Sequence, residues 1–242
     1  MSVCEEIFPE ITSPIISVPA SITPSTTSPV SYQQPKTAHN IYSSVLFERK
    51  AGYIAVSHSD KMIIDELLDN YKCNQSNIEK CIAGFMSKLH TSNKGEFYPL
   101  VASLLRIVGY KCEHSRLGVN YQRWDAMLID SHESIPIEIK SPGEEQYISV
   151  KAIRQALENK IILLSRKPYP TKMATTSLVI GYYIPNDRSE VIQLIEDIYK
   201  SFGIRIGIID FPSLLRLCYE HIINKNRPKY RDMVNLYGFI KL

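Results

Sequence analysis

The sequence predicts an α/β protein in which a mixed β-sheet is flanked by helices. Segments with helical and strand periodicity alternate along most of the chain, in the order helix, antiparallel strands, helix, strand, helix and strand. A near-continuous apolar run at residues 177–184 is typical of a central strand that is buried on both faces. The 242 residues also suffice to bury a full hydrophobic core.

The first half of the chain predicts three helices. Apolar residues recur at helical spacing over residues 59–68, with Ser59 as the N-cap, and over residues 78–89. We interpret residues 41–92 as a helical extension packed on the core, with a DNA-facing or dimerising element as the alternative. A third predicted helix begins near Glu96 and ends at Gly109.

Residues 93–242 are expected to form the main domain. Its predicted strands cover residues 110–114, 122–129, 136–140, 177–184 and 204–209, and its other predicted helices cover residues 148–164, 191–202 and 211–223. In the helix at 148–164 we expect the buried side to hold Ile153, Leu157, Ile161 and Leu164.

Residues 1–40 are rich in proline, serine and threonine. Prolines stand at positions 9, 14, 19, 24 and 29, a density that blocks helices and disfavours a central strand. We therefore expect an extended or disordered tail that acts as a tether. The interleaved isoleucines and valines leave open a role in which the segment lies against another surface.

Charge and cysteine content narrow the class of protein. The formal net charge is +3, and residues 1–40 hold one Lys and three Glu, so the remainder carries about +5, which suits phosphate contacts without requiring them. The five scattered cysteines form no C-x-x-C pair, which disfavours a zinc site. No apolar run reaches the roughly 18–20 residues of a membrane span. With an acidic N-terminus, these features predict a cytoplasmic protein without membrane association.

Two predicted strands bring carboxylates and a lysine together. Ile137 and Ile139 alternate with Glu138 and Lys140, so the two charged side chains share one face of their strand. Asp125 lies in the preceding strand, and a hairpin would place it beside Glu138. Two hard oxygen ligands next to a lysine are what a Mg²⁺-dependent phosphodiester-cleaving site requires. A surface hairpin held by salt bridges is the alternative.

The combination of Asp125 with Glu138-Ile139-Lys140 resembles the signature of the PD-(D/E)XK nucleases, and the wider pattern resembles type II restriction endonucleases. The resemblance extends over residues 90–215 and includes Gly95-Glu96-Phe97, Arg123-Trp124-Asp125, residues 137–142 and residues 154–160. Trp124 stands where the family name has proline. The resemblance implies a restriction-endonuclease-like fold with the helical extension added before it.

Roles for the site residues follow from this chemistry and from the resemblance. We expect Asp125 and Glu138 to bind Mg²⁺, for which Mn²⁺ could substitute, and Lys140 to orient or polarise the attacking water. The resemblance implies that the backbone carbonyl of Ile139 is a further metal ligand. It also implies that Glu96 sits near the metal or binds a second ion through water. The alternative for Glu96 is a favourable position at its helix start.

Several further residues are candidates for phosphate contacts or for supporting the site. The resemblance implies that Gln155 supports the site or touches the DNA backbone, and that Arg154 contacts phosphate, with an i,i+4 pair to Glu158 as the alternative. Lys151 is a weaker candidate for phosphate. Arg123 shares a face with Asp125 and could pair with it or with phosphate. We interpret Glu144 and Glu145 as loop carboxylates with a minor prospect of binding metal.

The function that we expect is that of a Mg²⁺-dependent DNA endonuclease similar to a type II restriction enzyme or its catalytic subunit. Cutting both strands of double-stranded DNA with one site per chain implies a homodimer or a heteromeric partner subunit. One alternative is another nuclease of the superfamily, such as a junction resolvase or a transposon-end nuclease. Another is a non-catalytic DNA-binding or assembly subunit.

Overall fold

The computed structural model describes residues 41–49, 57–115, 123–186 and 188–242. The expected tail at residues 1–40 lies outside the described residues. The helices are α1 (His58–Cys73), α2 (Ile78–Leu89), α3 (Lys94–Ile107), α4 (Val150–Arg166), α5 (Val191–Phe202), α6 (Phe211–Asn224) and α7 (Tyr230–Val234). The strands are β1 (Tyr42–Ser44), β2 (Phe47–Arg49), β3 (Cys112–His114), β4 (Ala126–Leu128), β5 (Ile135–Lys140), β6 (Ser177–Gly181), β7 (Ile206–Asp210), β8 (Asn226–Pro228) and β9 (Gly238–Lys241).

A mostly parallel seven-stranded sheet with helices on both faces confirms the predicted α/β class. Its strand order is β1-β9-β7-β6-β5-β4-β3, and β2 pairs separately with β8. The adjacent strands β1, β9, β7, β6 and β5 pair in parallel, whereas β4 is antiparallel to both β5 and β3. The crossovers through α4 and α5 explain the parallel part, because parallel neighbours need a long connection.

The side chains of β5 divide between the two layers of the core. Ile135, Ile137 and Ile139 join the larger apolar cluster, which also contains residues of α1, α2, α3 and α6. Glu138 pairs in register with Val179, a member of the second cluster together with residues of α4 and α5. The predicted alternation therefore directs Glu138 and Lys140 towards the α4 side of the sheet.

The N-terminal part of the described chain is more than a pair of helices. Helices α1 and α2 pack against α3 and α6 respectively, but Tyr42–Ser44 adds an edge strand to the main sheet and Phe47–Arg49 pairs with β8. Helix α1 begins two residues earlier than predicted, because Ser57, not Ser59, accepts the hydrogen bond from Asp60 N. Among the described residues, no helix is long and apolar enough to cross a membrane.

The buried face of α4 differs from the prediction. Ile153 is buried as expected, but Ile161 is 48 % exposed and Leu157 and Leu164 are half-buried. The buried positions instead include Asn159 and Lys160. Hydrogen bonds offset the cost of burying these two polar side chains, since Asn159 donates to Glu138 and the Lys160 ammonium donates to Thr171 Oγ1 at 2.8 Å. Periodicity of apolar residues alone could not locate a face that contains two satisfied polar side chains.

A buried ion pair fastens α1 to α3. Asp60 is fully buried, and its two carboxylate oxygens accept from Arg106 Nε at 2.9 Å and Nη2 at 2.7 Å. Burial by itself would raise the pKa of Asp60, but hydrogen bonds from Arg106, Ser103 and Ser57 outweigh it and lower the pKa to about 2. This bidentate pair fixes the geometry between the two helices.

Candidate active site

Asp125 and Glu138 emerge side by side from neighbouring antiparallel strands. Ala126 pairs with Ile137, and Asp125 N donates to Ile137 O at 3.0 Å, so the next position places Asp125 opposite Glu138. The Asp125 carboxylate turns back over β5 and its Oδ2 accepts from Ile139 N at 2.8 Å. The structure thus brings the two predicted carboxylates together on one hairpin.

Lys140 and Asn159 hold the Glu138 carboxylate from two directions. Glu138 is only 3 % exposed, and its Oε1 lies 2.9 Å from Lys140 Nζ. Its Oε2 accepts from Asn159 Nδ2 at 2.8 Å, a bond that α4 delivers from across the sheet face. Both oxygens are therefore fixed in direction, which is the preorganisation that a ligand or catalytic carboxylate needs.

A third carboxylate, Glu144, completes the cluster from the loop after β5. Its Oε2 accepts from Ser141 Oγ at 2.8 Å and from the Tyr98 hydroxyl at 2.9 Å. The loop is tied to the start of α3, because Gly143 N donates to Ser92 O at 3.1 Å. Tyr98 was not among the site residues predicted from the sequence.

The charges in this cluster act strongly on one another. Burial, together with repulsion from Glu138, raises the pKa of Asp125 to about 7, against the opposing effects of the Ile139 N–H and Lys140. Burial also raises the pKa of Glu138, although Lys140 opposes it. Burial would lower the pKa of Lys140, but attraction to Glu138 reverses the direction and raises it. The charges of Asp125, Glu138, Glu144 and Glu145 thus all act on a single ammonium group.

The donor set fits a hard divalent cation. Carboxylate oxygens are the ligands that Mg²⁺ prefers, and the raised pKa of Asp125 marks an excess of negative charge that a cation would relieve. The Ile139 carbonyl lies on the same side of its strand as the N–H bonded to Asp125, so it faces the same region. No three His, Cys, Asp or Glu side chains are gathered for metal binding in the described ranges. A metal ion here would therefore have few protein ligands, as is common for Mg²⁺, and water would complete its coordination shell.

Glu96 and Arg123 do not contact this cluster. Glu96 is exposed and its Oε2 accepts from Asn93 N at 3.4 Å, as part of the capping box of α3. Its geometry is that of the alternative given above, a carboxylate that stabilises its own helix start. Arg123 is exposed and forms no ion pair with Asp125. Tyr98 is the side chain of α3 that reaches the cluster.

Helix α4 presents the remaining predicted residues. Lys151 and Arg154 are exposed, and within the described ranges neither forms an ion pair, including the one considered between Arg154 and Glu158. Gln155 is half-buried, and its Oε1 is buried without a hydrogen-bond partner among the described residues. It lies one helical turn before Asn159 on the same face. A buried acceptor without a donor is costly, so this position suits a bound water or ligand.

The fold and the cluster define a class: an α/β protein with paired carboxylates and a lysine at the junction of an antiparallel hairpin and a parallel sheet. The chain matches no protein-family model, no curated protein and no solved structure. Its function is therefore argued from the site.

Asn159→Ala is expected to weaken binding of Mn²⁺ by about tenfold or more, because it removes the donor that orients Glu138 Oε2. Isothermal titration of the metal-free protein with Mn²⁺ measures this change. Gln193→Ala is the control, since Gln193 makes an exposed bond to Asp197 on α5. Unchanged Mn²⁺ affinity in Asn159→Ala would show that Asn159 does not position a metal ligand.

Proposed function

We propose that the protein is a Mg²⁺-dependent DNA endonuclease that hydrolyses phosphodiester bonds. The observation that carries the proposal is the placement of Asp125 opposite Glu138, with Lys140 Nζ at 2.9 Å from the second carboxylate. A hairpin stabilised by surface salt bridges would expose all of these groups, whereas Glu138 and Lys140 are almost fully buried. The half-buried Asp125 and the exposed Glu144 are the members of the cluster that solvent reaches. Buried charges with shifted pKa values at one point are typical of functional sites.

The arrangement of elements supports a restriction-endonuclease-like fold as part of this proposal. The series α3, β3, β4, β5, α4 and β6 supplies in order the acidic helix, the Asp strand, the E-x-K strand and the amphipathic helix on which the resemblance rests. The four strands are neighbours in the sheet in the same order.

The residues have distinct roles in the proposed reaction. Asp125, Glu138 and the Ile139 carbonyl would hold the metal ion, which when bound would neutralise phosphate charge and acidify water. Lys140 remains protonated beside Glu138 and stabilises negative charge that develops on the phosphate. Asn159 fixes the direction of Glu138. Gln155, with its free buried acceptor, receives a hydrogen bond from the attacking water.

Exposed cations at the start of α4, the helix whose Asn159 contacts the cluster, suit a nucleic-acid substrate. Lys151 and Arg154 lie in the first turns of α4, which begins ten residues after Lys140 in the chain. They are available for phosphates on either side of the cleaved bond. Glu96 and Arg123, which lie outside the cluster in this conformation, remain candidates for contacts made when DNA is bound. A homodimer or a partner subunit would supply the second site that cleavage of both strands requires.

Plasmid cleavage tests the proposed function. Supercoiled DNA incubated with the purified chain and Mg²⁺ is expected to be nicked or linearised, and a chelator is expected to stop the reaction. Linear and four-way junction substrates compared side by side separate a restriction-type enzyme from a junction resolvase. Cleavage that persists in chelator, or the absence of cleavage in both Mg²⁺ and Mn²⁺, would contradict the proposal.

A further inference from the structure

Two exposed tyrosines lie beside the candidate active site and play no part in it. Tyr147 is 51 % exposed and Tyr183 is 38 % exposed, with their ring centroids 5.6 Å apart and their planes tilted by 33°. Ile184 follows and is 50 % exposed. We name Tyr147, Tyr183 and Ile184 the aromatic platform. Large apolar side chains that are clustered on a surface indicate a binding site more often than isolated ones do.

The backbone beneath the aromatic platform is held firmly. Tyr183 N donates to Gln146 O at 3.0 Å and Ile148 N donates to Tyr183 O at 3.2 Å, which pairs the two segments as a parallel bridge. Ile148 packs on Gly181 so closely that a Cβ there would lie 2.4 Å from Ile148 Cγ1. The glycine is therefore required for this approach, and the two rings are presented in a fixed relation.

The aromatic platform continues the strands that carry the catalytic candidates. Lys140 pairs in register with Gly181, the last residue of β6, and Tyr183 lies two residues beyond it. At roughly 3.3 Å per extended residue, Tyr183 lies about 7 Å along the strand direction beyond the Lys140–Gly181 pair. That distance is about one nucleotide step along an extended strand, so a chain cleaved at the cluster would pass over the rings.

Two exposed cations stand close in the chain to the aromatic platform and could contact phosphates. Lys151 follows Tyr147 by four residues and Arg188 follows Ile184 by four, and both are exposed and form no ion pair in the described part of the chain. Of the carboxylates nearby in the chain, Glu144 and Glu145 accept hydrogen bonds from Ser141 Oγ at 2.8 Å and Ser149 Oγ at 2.6 Å, and Glu190 is exposed. Free cations at the border of exposed rings provide phosphate contacts and base stacking together, as single-strand binding sites do.

We propose that the aromatic platform stacks on an unpaired DNA base next to the bond that is cut, so that the preferred substrate contains a single-stranded segment. This inference rests on the proposed function for the identity of the ligand, and it adds the class of DNA that the site accepts. Every base has a flat face, so the rings select unpaired over paired nucleotides without selecting sequence.

Fluorescence anisotropy with a labelled single strand, and with the same strand in a duplex, tests the inference in chelator, where no cleavage occurs. Tyr147→Ala and Tyr183→Ala in the full chain are expected to weaken single-strand binding by at least about fivefold each. Tyr147→Phe and Tyr183→Phe keep the stacking face and are expected to bind within about twofold of the original protein. Duplex binding is expected to change little in all four variants.

Phe202→Ala is the matched control. Phe202 is also a large exposed aromatic side chain. It ends α5, which leads from the end of β6 back to the start of β7, so it lies at the opposite ends of the parallel strands. Its loss is expected to leave single-strand binding unchanged. Equal weakening of single-strand and duplex binding in the alanine variants, or no weakening, would overturn the inference.

Two further measurements distinguish base stacking from a dimer interface and from a failure of the proposed reaction. Sedimentation of the alanine variants is expected to give the same oligomeric state as the original protein, and conversion of a dimer to monomers would show that the platform is an interface between copies. Asp125→Asn is expected to retain single-strand binding. If the chain binds single strands through the two tyrosines but cleaves nothing, the stacking on an unpaired base stands, and the proposed reaction fails together with the placement of that base next to a cut bond.

Discussion

Asp125→Asn is expected to lower metal-dependent DNA cleavage by on the order of a thousandfold, because it removes a charged ligand from the proposed metal site, and loss of several kcal/mol of transition-state stabilisation has this effect. The fold is expected to survive. The amide oxygen of asparagine can still accept from Ile139 N, the bond that holds this side chain over β5. Rates of plasmid nicking under single-turnover conditions measure the change.

The stability of the same variant distinguishes a functional site from a structural one. Asp125, Glu138 and Glu144 face one ammonium group, and the pKa of Asp125 is raised to about 7, so its charge is unfavourable in the folded, metal-free protein at pH 8. Removal of that charge is expected to raise the melting temperature in chelator by about 2–4 °C, which corresponds to roughly 1 kcal/mol for a chain of this size. A lower melting temperature would indicate that Asp125 is there to stabilise the fold.

Glu138→Gln is expected to abolish cleavage as well, but with the opposite effect on stability. Glu138 Oε1 is the partner of the buried Lys140, and an amide in its place leaves that ammonium without a counter-charge. Glu113→Gln is the control for both variants, because Glu113 is an exposed carboxylate on the adjacent strand β3. Cleavage by Asp125→Asn within tenfold of the original rate would place the active site elsewhere.

The largest expected effect on stability comes from Asp60→Ala, which should lower the free energy of unfolding by about 3 kcal/mol, or roughly 10 °C in melting temperature. The change removes the bidentate partner of Arg106 and leaves its guanidinium group largely buried between α1 and α3. Chemical denaturation at pH 7 measures the loss. Asp69→Ala breaks an exposed pair with Lys72 and is expected to cost under about 0.5 kcal/mol.

The contribution of Asp60 is expected to disappear in acid. Its pKa in the folded protein is about 2, below the ordinary value of 3.8, so the unfolded chain takes up the proton first as the pH falls. The stabilisation is complete above the ordinary value and is lost as the pH approaches 2. The difference in unfolding free energy between the original protein and Asp60→Asn should therefore be smaller at pH 3 than at pH 7. An equal difference at both values would contradict the assigned pKa.

The sequence predicted those parts of the fold that repeat a strong local pattern. The alternation of Ile137, Glu138, Ile139 and Lys140 specified which side chains enter the core, because one register slip would bury both charges among isoleucines. The helical spacing of apolar residues predicted α3, α5 and α6 equally well. Strands β1, β2, β8 and β9 were not predicted, since three or four residues carry too little periodicity and their pairing depends on partners far along the chain.

The site was predictable to a similar degree and for related reasons. Asp125, Glu138 and Lys140 could be found because two local segments carry them. Asn159 and Tyr98 could not, because each acts through a contact distant in sequence: Asn159 with Glu138 and Tyr98 with Glu144. Asn159 left one signal, a polar residue interrupting the apolar face of α4. Tyr98 left none, since an aromatic residue in a helix normally indicates packing.

Helix α3 connects the two parts of the molecule for which the largest effects are expected. Tyr98 donates to Glu144 near the beginning of the helix, and Arg106 binds Asp60 near its end. They are eight positions apart, about 12 Å along the helix axis, and Pro99 interrupts the backbone hydrogen bonding next to Tyr98. We expect a shift of the Arg106 end to change the position of the Tyr98 hydroxyl. Substitutions in α1, far from the candidate active site, are then expected to change the rate of the proposed cleavage in molecules that remain folded.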